Sequence, residues 1–123
     1  MTDRPKILFV DDNSDTRDLL QALLNMANFR VSTASCGAEC LDLIATDNFD
    51  AFLIDNWMQD TTGIELCRRI RVSDPLTPIL ICSGAGSEEF RRESLEAGAQ
   101  GFVKKPFDVE ALILQLAELT KSS

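Results

Sequence analysis

The sequence predicts an α/β domain of the doubly wound kind, a five-stranded parallel sheet with five helices distributed over its two faces. Three observations predict it. Short apolar runs alternate with longer stretches of helical period along the chain. Four of the five runs are almost continuously apolar, as strands covered on both faces must be. The 123 residues, 45% of them hydrophobic, suit one self-sufficient core, and with no linker, repeat or low-complexity segment residues 1–123 read as a single domain.

The first run is Ile7-Leu8-Phe9-Val10. Asn13 and Ser14 give a helix start signal, and Leu19, Leu20, Leu23 and Leu24 then recur at helical spacing. Arg30-Val31-Ser32-Thr33-Ala34 alternates and is more polar, which suits an edge strand. Cys40, Leu41 and Ile44 stripe the second helix, and Ala51-Phe52-Leu53-Ile54 forms the third strand. Thr62 with Glu65 offers a capping box for a third helix striped by Ile64, Cys67 and Ile70. Pro78-Ile79-Leu80-Ile81-Cys82 is the fourth strand. Residues 87–97 (SEEFRRESLEA) predict a helix whose only large apolar residues are Phe90 and Leu95, a thinly anchored element suited to movement. Gly101-Phe102-Val103 is the last strand, and Asp108 caps a final helix striped by Leu112, Leu116 and Leu119.

Composition narrows the chemistry. Twelve Lys and Arg against twenty Asp and Glu leave a net charge of −8, which repels phosphate backbones and anionic lipid and argues against nucleic acid binding by this domain alone. There is no His, so catalytic triads built on imidazole and histidine-ligated metals are excluded. Cys36, Cys40, Cys67 and Cys82 lack metal-ligand or redox spacing. Cys36 and Cys40 lie one helical turn apart, which leaves a pair open, but small hydrophobes in a reduced core are the simpler reading. The apolar run after MTDRPK is four residues long, far short of a signal or membrane segment, so a cytoplasmic location is expected.

In doubly wound sheets, ligands bind beyond the carboxyl ends of the strands. Asp11-Asp12 follow the first strand, Asp55 the third, Ser83-Gly84 the fourth and Lys104-Lys105-Pro106 the fifth. Each has a plainer alternative: Asp11 or Asp12 as a helix cap, Asp55 as a loop carboxylate, Ser83 as a turn residue, Lys105 as a solvated cation. Their coincidence at four strand ends favours a site. Clustered carboxylates need a cation, and oxygen ligands without imidazole or thiolate favour Mg²⁺.

Four motifs, FVDD at 9–12, LIDNWMQDTTG at 53–63, ICSGAG at 81–86 and GFVKKPF at 101–107, resemble the receiver domain of two-component response regulators over essentially the whole chain. The resemblance implies a flavodoxin-like (CheY-like) sheet with strand order 2-1-3-4-5. It implies that Asp55 is the phosphoacceptor. Asp11, Asp12, Asp55 and the backbone carbonyl of Trp57 would hold Mg²⁺, Asp12 most directly. Lys105 would pair with phosphoryl oxygens, the Lys105-Pro106 peptide bond would be cis, Ser83 would hydrogen-bond the phosphoryl group, and Phe102 would follow the state of Ser83. Lys104 matches no functional position.

The implied partners are a sensor histidine kinase or histidine phosphotransfer protein, and an effector reading the face of the fourth helix, last strand and last helix. The implied state is a monomer or a weak phosphorylation-dependent dimer. Such a domain is a signalling switch that assists its own phosphorylation and dephosphorylation, rather than an enzyme.

The loop departs from the family pattern at Gln59, where Pro is usual, and at Asp60-Thr61-Thr62. Trp57 could restrict attacking water or simply cover the pocket edge. A receiver-like module that binds partners without phosphorylation would normally lack an acidic residue or the Lys. A carboxylate phosphatase would carry a second Asp where Trp57 stands. The sequence ends LTKSS, which leaves open both a stand-alone receiver and one from a longer regulator or hybrid kinase.

Overall fold

The computed structural model describes residues 4–84 and 86–121. Along the chain run β1 (Lys6–Val10), α1 (Ser14–Met26), β2 (Arg30–Ala34), α2 (Gly37–Thr46), β3 (Ala51–Asp55), α3 (Gly63–Ser73), β4 (Ile79–Ser83), α4 (Glu88–Glu96), β5 (Gly101–Lys104) and α5 (Val109–Leu119). The five strands form one parallel sheet in the order β2-β1-β3-β4-β5, as expected. The polar second strand is an edge, and β3 and β4 are buried at all five positions.

Alternate residues of each strand feed two cores, because successive side chains leave opposite faces of a sheet. Leu8, Val10, Phe52, Ile54 and Ile81 pack with Cys40 of α2 and Leu66, Cys67 and Ile70 of α3. Ile7, Phe9, Leu53, Leu80 and Cys82 pack with Leu20 and Leu24 of α1 and Leu112 and Leu116 of α5. Each of the Val, Leu, Ile and Phe side chains among them contributes about 1.5–3 kcal/mol by leaving water, which fixes the central strands and hence the position of their ends.

The helix starts follow the expected signals. Asn13 Oδ1 accepts from Thr16 N (2.8 Å), Thr62 Oγ1 from Glu65 N (3.1 Å), and Asp108 Oδ1 from Ala111 N (3.1 Å). Two stripes are narrower than their spacing suggests. Leu19 is exposed and lies outside the α1 seam, while Leu23 is only half-buried. In α4, Leu95 is also exposed; the helix is held by half-buried Phe90 and by Ser94, which is fully buried and donates to Phe90 O at 2.8 Å.

All four cysteines are free thiols; Cys40, Cys67 and Cys82 are buried as the small-hydrophobe reading expects, while Cys36 is only half-buried. Burial pushes the Cys40 thiol up to about 12, with Cys36 and Asp60 adding to it, which leaves it inert. Among the described residues no helix is long and apolar enough to cross a membrane.

Candidate functional site

The carboxyl edge of the sheet gathers the residues that the strand-end rule singled out. β3 and β4 each run one residue beyond their apolar stretch, because the ladder continues: Asn56 N donates to Cys82 O (2.8 Å) and Lys105 N to Ser83 O (2.9 Å). Asp55 and Ser83 are therefore the last residues of rigid strands, not loop residues. Asp11 is tied to β2 by Asp11 N donating to Ala34 O at 3.1 Å.

Carboxylate oxygens of Asp11, Asp12 and Asp55 lie within 4.8 Å of one another. Asp11 and Asp55 are buried, at 1% and 6% exposure, while Asp12 is open to solvent. Lys105 Nζ reaches between the buried pair, 2.9 Å from Asp11 Oδ2 and 3.0 Å from Asp55 Oδ1. Asp11 Oδ1 accepts from Asn13 N (2.9 Å), and Asn13 is the residue that caps α1, so Asp11 is not that cap. Arg17, which sequence reasoning did not single out, donates from Nη1 to Asp11 O at 2.8 Å and steadies the same turn from α1.

Burial pushes the Asp55 carboxyl above the usual carboxylate range, against the downward pull of its bond to Lys105, while Asp11 and Asp12 push the same way as burial. Burial alone would lower the Lys105 ammonium, but its bonds to Asp11 and Asp55 outweigh that and raise it, so it stays protonated. Burial likewise pushes the nearby Cys82 thiol upward and keeps it from acting as a thiolate ligand. Three carboxylates facing one ammonium leave a local excess of negative charge on hard oxygen donors. That donor set fits a small divalent cation such as Mg²⁺.

Ser83 is buried at the end of β4, opposite Lys104 in register. The Lys105-Pro106 bond is cis, as the resemblance implied. Phe102 is half-buried and meets Phe90 of α4 edge to face, with centroids 5.9 Å apart and planes at 89°. Trp57 is 66% exposed. Despite Gln59, the loop closes on itself: Trp57 bridges to Thr62, Met58 N donates to Thr61 O (3.3 Å), and Gly63 N donates to Asn56 O (2.9 Å). Gly63 is required at that closure, since a Cβ there would lie 2.8 Å from Asp55 O and 3.0 Å from Asn56 Cα. Asn56 is buried beside Asp55, and its Oδ1 is the one buried side-chain polar atom without a partner among the described residues.

A family model described as the response regulator receiver domain matches residues 7–117. The response regulator MprA of Mycolicibacterium vanbaalenii is 36% identical over 116 residues, covering 94% of this chain and 50% of the relative. The chain thus spans about half the length of the curated relatives it matches. The receiver domain of the Francisella response regulator 1452 superposes with a TM-score of 0.92 at 31% identity, covering 96% of this chain and 98% of that one. The chemotaxis response regulator CheY4 of Vibrio cholerae superposes with a TM-score of 0.89 at 32% identity, covering 94% and 98%.

Proposed function

The chain belongs to the response regulator receiver domain family of two-component signalling switches, and from that membership we propose that residues 1–123 act as one phosphoacceptor domain switched at Asp55. The observation that carries the reading is the convergence of Asp11, Asp12 and Asp55 around the Lys105 ammonium at the carboxyl edge of the sheet. An interaction module that needs no phosphorylation would have no use for this complete set.

The ionised Asp55 carboxylate attacks phosphorus in a phosphohistidine of a sensor kinase or histidine phosphotransfer protein. A P–O bond forms, the P–N bond breaks, and its electron pair leaves with the imidazole nitrogen. The acceptor thus becomes an acyl phosphate. Phosphoryl transfer asks for positioning and positive charge more than for covalent help. Asp11, Asp12, Asp55 and the backbone carbonyl of Trp57 would hold Mg²⁺, which when bound supplies charge to the transferring oxygens. Burial works against ionisation of Asp55, and a cation at the site would work for it. Lys105 supplies the second positive charge from the cis turn.

The new phosphoryl oxygens are strong acceptors. Ser83 donates to them, and Phe102 moves into the space that this opens. Because Phe102 rests on Phe90, the half-buried anchor of α4, that movement reaches the face of α4, β5 and α5 where an effector docks. The net charge of −8 keeps the domain itself off DNA, and the domain works in the cytoplasm as a monomer or a weak phosphorylation-dependent dimer. Incubation with a small acyl phosphate and Mg²⁺ tests the assignment: the wild type is labelled and Asp55→Asn is not. Equal labelling of both sinks Asp55 as acceptor.

A further inference from the structure

The second helix starts without a cap of its own. Cys36 holds the N-cap position but makes no side-chain cap bond, and the first amides of a helix have no partner within it. The cap is supplied from another loop. Gly37 N donates to Asp60 Oδ1 at 2.9 Å, and Ala38 N donates to Asp60 Oδ2 at 3.0 Å. One carboxylate thus spans two helix-start amides, where the helix dipole also favours an anion. These two bonds hold the Asp60 carboxyl below its usual range, helped by the Cys36 thiol. The packing there is close, since Thr61 Cγ2 lies 2.6 Å from where a Cβ on Gly37 would stand.

Asp60 sits in the closed loop that leaves Asp55, three residues after Trp57 and two before Thr62. The Trp57–Thr62 bridge and the Met58–Thr61 and Asn56–Gly63 bonds take up the slack of that loop. A carboxylate clamped at one side of a closed loop restricts the backbone on the other side, which includes the Trp57 carbonyl. We infer that Asp60 is a positioning residue: by clamping the loop to the start of α2 it sets the Trp57 carbonyl for the cation at Asp55, and so couples cation binding to the seating of α2. The inference rests on the cation site proposed above. Coupling of this kind is reciprocal, so a clamp that strengthens cation binding is itself strengthened by the cation.

The test titrates Mg²⁺ into the wild type, Asp60→Asn and Asp60→Ala. Binding is followed by the fluorescence of Trp57, the single tryptophan of the chain, and by amide exchange at Gly37 and Ala38. Asp60→Ala should weaken Mg²⁺ binding about fivefold, the low end of inter-site couplings, because Asp60 is exposed. In the wild type, Mg²⁺ should raise protection at Gly37 and Ala38; in Asp60→Ala it should leave them unchanged. Asp60→Asn keeps the shape and a neutral acceptor, so it should fall between the two. The wild-type exchange experiment needs no variant and stands even if Asp60→Ala folds poorly. If the wild type binds Mg²⁺ and the variants bind it equally well, Asp60 is only a helix cap and the inference falls alone. If the wild type binds no Mg²⁺, the proposed cation site falls and takes the inference with it.

Discussion

Replacing the proposed acceptor by its neutral isostere should stabilise the cation-free protein. Asp55 faces two carboxylates no farther than 4.8 Å away and one ammonium at 3.0 Å. At an effective dielectric near 20, unit charges at 4.8 Å repel by about 3.5 kcal/mol each, and the ammonium attracts by about 5.5 kcal/mol. The two repulsions exceed the attraction by about 1.5 kcal/mol at that dielectric. Burial of the Asp55 carboxylate adds to the deficit, and solvent screening of the exposed Asp12 reduces it. Asp55→Asn removes the charge and keeps an oxygen to accept from Lys105. A gain of about 1 kcal/mol is expected in the presence of chelator, or about 4 °C in Tm for a domain of this size. Urea unfolding followed by circular dichroism measures it. Excess Mg²⁺ should then reverse the ranking, since a ligand at about 100 times its Kd stabilises by about 2.7 kcal/mol and the variant lacks one of the proposed metal ligands. A variant less stable than wild type in chelator, or equal stabilisation of both by Mg²⁺, refutes the reasoning.

The pH dependence has a fixed sign. A carboxyl whose folded pKa is raised contributes stability that is present below its unfolded value and is lost as pH rises through the folded one, so the stability gap between Asp55→Asn and wild type should narrow on acidification from neutral pH; chemical denaturation across that range checks it, and a widening gap contradicts the assignment. Lys105→Met leaves Asp11 and Asp55 without their shared cation and should cost about 2–3 kcal/mol in chelator, less than for a fully buried pair because Lys105 is partly exposed, with Mg²⁺ restoring much of the loss in the same assay. Gly63→Ala drives a methyl against the Asp55 carbonyl and Asn56 Cα and should cost about 1–3 kcal/mol in urea unfolding while slowing phosphoryl acceptance by Asp55, whereas wild-type stability and rate would remove the steric argument.

Much of the site was legible because the fold places it at strand ends, and strand ends are marked locally. An apolar run that stops at Asp55 or at Lys104 shows both the strand and the tip where the candidate site sits. The caps at Asn13, Thr62 and Asp108 were legible for the same reason, since each bonds an amide three residues on. Leu19 and Leu95 were misleading because helical spacing defines a face but not how much of it a neighbour covers; in α1 the buried pair Leu20 and Leu24 is one edge of the stripe, and Leu19 at the other edge is exposed.

By itself the sequence determined the order of elements, the edge position of β2 and the set of residues at the carboxyl edge, because apolar periodicity and capping are local and repeat over many positions. Only the tertiary structure decided the pairings. The Lys105 ammonium lies between Asp11 and Asp55 although it is 94 residues from Asp11 in the chain. Asp60 caps a helix that begins 23 residues before it, and Arg17 reaches back to the Asp11 carbonyl. Trp57 points outward. Such contacts depend on the angle at which a loop closes and the register at which strands meet, and no local pattern of residue types encodes either.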